Sequence, residues 1–459
     1  MCSIFGSITR PSTLANMHMN NLIRRSHERG RDGRGFLVQT ASSSYTFKSI
    51  RRATGDEWNS YDFYTINKTE TQTVIGNTRA EPTTEYVHEK HMDDQQPYSL
   101  TEWTIVHNGT IANDVALRSE QFASYPSRID SSAIVEQLEA HAGGNNHQEV
   151  YLGFQAVIRK LKGSFAILAT HKSFPGVIFF ACNYRPIWHT YNMSDVYIGS
   201  TEDSLPNNYP KKMVAPYSTG YITPEIVHID AGNLYPKREL NNRVLVVCSG
   251  GMDSVVAAAA LKYEGYSIEL LHFQYGCRAQ GPEYKAVIDA ANALQCKVHF
   301  MALPIYDPSD SPLLRADSEI AGGEVGAEFA HEWVPARNLV MLSIAVAIAE
   351  AKGFHYVGLG NNLEEAGAYP DNEPEFINRL NTALPFAVGD GKRVKIIMPV
   401  GNLMKHEIVD LGVRVGAPMK STWSCYKSGE KHCGKCGPCH MRRVAFKING
   451  LTDPMEYES

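Results

Sequence analysis

No apolar run in this 459-residue chain is long enough to cross a bilayer. The most apolar helical stretch, LVMLSIAVAIA at 339–349, falls short of the roughly 20 residues a span requires and reads as a buried helix. The start, MCSIFGSITRPS, lacks a basic segment followed by a long apolar core. No secretory signal is therefore expected, and a cytoplasmic location without a membrane partner is. Low-complexity tracts and obvious internal repeats are also absent. Neither sign of charge dominates: 44 Lys and Arg face 49 Asp and Glu, which excludes a generally cationic nucleic-acid binder, although RRSHERGRDGR gathers five arginines locally. Cysteine is scarce and odd in number, nine in all, with four crowded near the C-terminus. That pattern fits a metal site in a reducing compartment better than a disulfide framework.

What is present is globular: 43% of residues are hydrophobic, and the length suggests two or three domains. The first half offers β-rich runs in SYTFKSI, TQTVIGNT, EWTIVHNG, SFAILAT, GVIFFAC and DVYIGS, with helical spacing over 131–142 and 149–163. From RVLVVCSGGMDS onward the rhythm changes. RVLVVC, SIELLHF, KVHFMAL and FHYVGLG alternate with helical segments, as a doubly wound parallel sheet requires. The polar, aperiodic stretch between them predicts domains over 1–230 and 243–459 joined by a linker at 231–242.

The chain opens MCSIFG, with a thiol at the second position. Removal of residue 1 would give Cys2 an α-amine titrating at roughly 7.7–8.0, able to accept the proton of its own thiol. A buried first strand is the plainer explanation. Three other stretches bear on the choice. Arg79 in GNTRAEPT is suited to a bidentate grip on a carboxylate. Asn108 and Gly109 in VHNGTIAND read as a strand-to-turn junction, with an amide and a backbone N–H available to an oxyanion, or else as a plain hairpin. Asp130 in SRIDSSAIVEQL sits at a helix start, where an N-cap is the alternative. Together with HERGRDGRG (27–35), these residues resemble the class II glutamine amidotransferases over about 2–230. That resemblance implies an Ntn-type αββα sandwich in which Cys2 attacks the amide of glutamine. Asn108 and Gly109 would hold the oxyanion, Arg79 the α-carboxylate and Asp130 the α-ammonium. The chain departs from the family after the arginine, where it reads Ala80-Glu81-Pro82-Thr83.

In the second half SGGMDS (249–254) follows a strand and precedes a helix, so glycines and a helix N-terminus can close on an anion. The loop lacks the Gly-Lys-Ser/Thr end of a Walker motif. It matches the pyrophosphate loop of ATP pyrophosphatases, through Ser249, Gly250, Gly251, Asp253 and Ser254. Cys425, Cys433, Cys436 and Cys439, spaced C-x7-C-x2-C-x2-C, supply four soft ligands for one tetrahedral zinc of structural type.

Most of 243–446 resembles the 7-cyano-7-deazaguanine synthases: HFQYGCRAQGPE, VPARNLVMLSIAVAIAE, GAYPDNEPEFI, LMKHEIVDLG and TWSCY appear in order. Gln274 and Cys277 stand where that family usually has aspartate and glutamine. The resemblance implies an adenine nucleotide α-hydrolase-like domain using ATP, Mg2+ and Zn2+. With glutamine it would convert 7-carboxy-7-deazaguanine through an amide to the nitrile, as in queuosine- or archaeosine-type biosynthesis. Ammonia would need an internal passage near the joint. Asp371 and Glu375 are candidates for the N–H donors of the deazaguanine, Tyr369 and Phe376 for stacking, and Arg337 for a phosphate or carboxylate; an exposed acidic loop and a helix-start ion pair are the alternatives. A homo-oligomer is expected. Two other reactions remain open: amidine formation on a nitrile borne by tRNA or DNA, and ligation of the deazaguanine acid to a protein amine.

Overall fold

The computed structural model describes residues 2–51, 69–80, 91–118, 124–127, 129–192, 195–236, 241–320, 332–366 and 369–458. Its contacts divide into two compact units after Pro236.

The first unit holds two antiparallel sheets. One has the strand order β11 (Lys211–Met213), β9 (Trp188–Asn192), β10 (Asp195–Gly199), β1 (Ser3–Thr9), β4 (Gln72–Arg79), β2 (Gly33–Gln39), β3 (Ser44–Ser49). The other runs β13 (Val227–Asp230), β12 (Ser218–Ile222), β8 (Ile178–Cys182), β7 (Gly163–His171), β6 (Trp103–Ile111), β5 (Tyr98–Ser99). Strand side chains alternate between faces, so each sheet can serve two cores. Ile4, Ile8 and Ile75 of the first sheet meet Val106, Leu168 and Phe180 of the second in a shared core. The outer face of the first sheet is covered by α1 (Thr13–Ser26) through Met19, Leu22 and Ile23. That of the second is covered by α3 (Ser132–His141) and α4 (His147–Ile158), with Trp103 and Phe154 among the buried rings, and the short α2 (Asp114–Arg118) leads into α3. The result is an αββα sandwich.

Two sequence expectations need correction here. Asn108 and Gly109 are not at a turn: β6 continues to Ile111 and pairs with β7, Gly109 opposite Phe165. The first unit also runs past residue 230. Leu234 donates its N–H to the Tyr217 carbonyl at 2.9 Å, Asn233 accepts from the Thr219 N–H, and Tyr235 stacks on Tyr217 at 4.2 Å. Ring stacking and backbone pairing thus anchor a segment whose polar composition suggested a linker.

The second unit is built on five parallel strands ordered β16 (Val298–Ala302), β15 (Ser267–Gln274), β14 (Arg243–Val247), β17 (Tyr356–Gly358), β18 (Lys395–Ile397). α5 (Met252–Tyr263) and α6 (Gln280–Ala293) pack on one face; α7 (Arg337–Lys352) and α9 (Pro374–Ala387) pack on the other. A single turn, α8 (Leu363–Ala366), follows β17, while α10 (Lys405–Arg414) and α11 (Gly437–Ile448) close the C-terminal end against α5. Because the order reverses at β14, a crevice opens beyond the strand ends there, where ligands of such sheets bind.

Candidate active sites

In the first unit, β1 and β4 pair Ser3 with Thr78, which brings Cys2 beside the end of β4. The Cys2 thiol donates to the Ala80 carbonyl at 3.7 Å. The Asn77 side-chain amide donates to the carbonyls of Ser3 at 3.2 Å and His107 at 3.5 Å, tying the residues next to Cys2 and Asn108 to one group. Asn108 is 2% exposed, and its side-chain Nδ2 is buried with no hydrogen-bond partner among the described residues. A buried amide left unpaired is costly and calls for an acceptor that the fold itself does not supply. Gly109 adopts φ +153°, and a Cβ there would lie 1.9 Å from the Ser164 carbonyl oxygen, so only glycine fits.

Burial pushes the Cys2 thiol above its ordinary value, and the Ala80 bond and the nearby Arg79 charge offset this only in part. The thiol is therefore protonated near neutrality and needs a base. Arg79 ends β4 and donates to the Asp94 carbonyl at 2.8 Å. Asp130 precedes α3 and accepts from the Ile111 N–H at 2.6 Å and the Ser131 hydroxyl at 3.3 Å, so it braces β6 rather than capping its own helix. The charges of Arg79 and Asp130 both act on the Cys2 thiol, which sets all three in one neighbourhood. Arg29 belongs to the same neighbourhood, and its interaction with Cys2 had no separate signal in the sequence.

In the second unit a cavity of about 220 Å³ lies at the crevice. Its floor is the Ser249–Ser254 turn. Gly250 has φ +85°, and a Cβ there would meet the Glu283 carbonyl at 2.7 Å. Gly251 begins α5 without a side-chain cap, so the first N–H groups of that helix are available to an anion. Across from it, a Cβ on Gly360 would come within 2.6 Å of the Ser254 backbone nitrogen. This close backbone cradle and open helix start fit a polyphosphate such as that of ATP. Lys405 Nζ bridges Asp253 Oδ2 at 2.5 Å and Glu365 Oε1 at 2.8 Å, and the two carboxylates together hold the buried ammonium in its charged form. Asp253 Oδ1 is buried without a hydrogen-bond partner among the described residues, a hard oxygen donor of the kind Mg2+ takes.

Arg337 lines the cavity and donates to the Tyr275 hydroxyl at 3.2 Å, its charge 5.7 Å from the Tyr275 ring centroid. The other deazaguanine candidates are placed differently. Asp371 accepts from the Asn338 N–H at 3.2 Å and so serves the first turn of α7. Glu375 projects from the first turn of α9 with its side chain 67% exposed, paired with Arg379 at 2.7 Å. Phe376 packs on the core between α7 and α9. Tyr369 bonds Glu332 at 3.4 Å and stacks on Trp333. None of the four lines the cavity. Its wall includes Cys277, Glu283, Trp423 and Tyr426 instead.

The four cysteine sulfurs Cys425, Cys433, Cys436 and Cys439 lie within 4.8 Å of one another, all buried. A tetrahedral ion with sulfur at about 2.3 Å needs edges of roughly 3.8 Å, so the donors fit a zinc with little movement. His432 is not among them: its Nε2 accepts from the Ser424 N–H at 3.3 Å. The segment also reaches the cavity, because the Trp423 N–H donates to the Gly250 carbonyl at 2.8 Å. Arg442 reinforces it through Asp453, Thr422 and Ser424.

Comparison with known proteins agrees with this geometry. The sequence profile of the family described as "Queuosine biosynthesis protein QueC" matches residues 243–450. A protein named 7-cyano-7-deazaguanine synthase from Saccharolobus solfataricus is 41% identical over 100% of both chains, and one of the same name from Sulfolobus acidocaldarius is equally similar. A shorter namesake from Methanothrix thermoacetophila is 38% identical over 47% of this chain and 99% of its own. Among solved structures, a glutamine phosphoribosylpyrophosphate amidotransferase from B. subtilis covers the whole chain at 12% identity with a TM-score of 0.39, a level on which no argument rests. The end-to-end identity is decisive: the chain belongs to the 7-cyano-7-deazaguanine synthase family.

Proposed function

We propose that this protein uses glutamine and ATP to amidate 7-carboxy-7-deazaguanine and carry the amide on to 7-cyano-7-deazaguanine. The full-length identity with relatives bearing the synthase name carries the reading, since it spans the first unit as well as the second. In the first unit, Cys2 is the nucleophile, and its own α-amine, freed by removal of residue 1, takes the thiol proton. The unpaired Asn108 amide and the Gly109 N–H receive the oxyanion; Arg79 and Asp130 hold the glutamine α-carboxylate and α-ammonium. Glutamate and ammonia leave.

In the second unit, the Ser249–Ser254 turn and the start of α5 hold the phosphates, Asp253 offers its free oxygen to Mg2+, and the four thiolates hold zinc as a structural ion. ATP supplies the leaving group that makes the acid oxygen replaceable by nitrogen. Arg337 orients an anionic group of substrate or nucleotide in the cavity. The test is incubation with amide-15N glutamine, ATP and the free acid. Mass spectrometry should find one label in the amide and one in the nitrile. Label only in nitrile-bearing RNA or DNA, without ATP use, would replace this reaction with amidine formation. A labelled-glutamine-independent protein adduct would replace it with ligation.

A further inference from the structure

A deazaguanine presents adjacent N–H donors on its 2-amino-4-oxopyrimidine ring, and a carboxylate is the side chain that accepts both together. Among the described residues, three carboxyl groups line the cavity: Asp253, Glu283 and Glu365. Two of them, Asp253 and Glu365, are held by Lys405. Glu283, in the first turn of α6, has no ion-pair partner among the described residues, and its Oε2 accepts only from the Cys277 thiol at 3.4 Å, a weak donor. The rings of Tyr275, Trp423 and Tyr426 border the same cavity and suit a flat heterocycle. The two acidic residues that the sequence suggested are committed to α7 and to Arg379.

We propose that Glu283 reads the paired N–H donors of the deazaguanine ring and so sets the enzyme's preference for 2-amino over 2-oxo substrates. The inference rests on the functional reading above and deepens it.

The groups facing this carboxyl are Cys248 beyond β14, Tyr275 and Cys277 beyond β15, and Arg337 of α7. Burial pushes the carboxyl up to about 7. Two N–H donors favour the charged form, so the bound state has the lower pKa. Affinity for the ring is accordingly full above about pH 7 and falls as pH drops through that value.

Calorimetry on the full-length protein with 7-carboxy-7-deazaguanine and its 2-oxo counterpart tests this. Wild type should bind the 2-amino ring, several-fold more weakly at pH 6 than at pH 8. Glu283→Gln should lose at least about thirtyfold for that ring and gain for the 2-oxo ring, since an amide offers one donor and one acceptor; ATP affinity should not move. Glu283→Asp, a control for folding, should keep the 2-amino preference at reduced affinity. Weakened ATP binding with ring binding intact, equal loss for both rings, or wild type binding neither would overturn the assignment. If Glu283→Gln discriminates as wild type does while wild type makes nitrile, the assignment falls alone. If discrimination depends on Glu283 but wild type makes no amide or nitrile, the assignment stands and the reaction falls.

Discussion

At the scale of residues, Cys2 and Asn108 are complementary. The thiol is held protonated by burial, so its reactivity waits on a base. The amide is buried without an acceptor among the described residues, so its donor is in place before any charge develops. Such a donor acts chiefly on the transition state. Asn108→Ala should lower the glutaminase kcat by roughly 10²–10³, with KM changed little, in an assay of glutamate release. Glu283 shows why residue roles were only partly legible. The segment containing it stood out in the sequence, but its isolation from Lys405 did not, because Lys405 reaches Asp253 from 152 positions away. Spacing carries no record of such a meeting. That Asp371, Glu375 and Phe376 lie outside the cavity lining was not legible for a related reason: which way Glu375 and Phe376 point depends on the helical phase of α9, Asp371 precedes that helix and is turned to the Asn338 N–H of α7, and composition gives neither.

At the scale of elements, the cysteine-rich segment supports the Ser249–Ser254 turn. Trp423 donates its backbone N–H to the Gly250 carbonyl two positions before Cys425, so the geometry of the sulfur cluster and of the turn are mechanically linked. A zinc site is part of the folding free energy of its segment. Cys436→Ser, or chelation of the intact protein, should therefore raise KM for ATP several-fold and lower the melting temperature, while glutamate release by the first unit stays near normal. Thermal melts and separate assays of the two half-reactions check this. Four of the five parallel strands were readable because each is a short apolar run next to a helical segment, whereas β18, only three residues long, was not; the cysteines were readable because all four fall within 15 consecutive positions. β2, β9 and β12 were not readable. They begin with glycine or carry polar and aromatic residues, and are extended because neighbouring strands offer them backbone partners.

At the scale of the molecule, each unit has its own sheets, its own core and its own candidate chemistry. Cys2→Ala should abolish use of glutamine yet leave nitrile formation intact when ammonium is supplied, measured by product mass at matched ATP. Loss of both activities would mean that the units do not divide the reaction as described. The side-chain amide of Asn77 adds a constraint on assembly. It touches the carbonyls on either side of the sandwich interface, at Ser3 just after Cys2 and at His107 just before Asn108. Slipping β1 or β6 by one residue within its own sheet would turn the adjoining side chain to the opposite face and move that carbonyl away from Asn77. One amide thus acts as a gauge of assembly, satisfied on both sides only when the two strands have settled in their native registers.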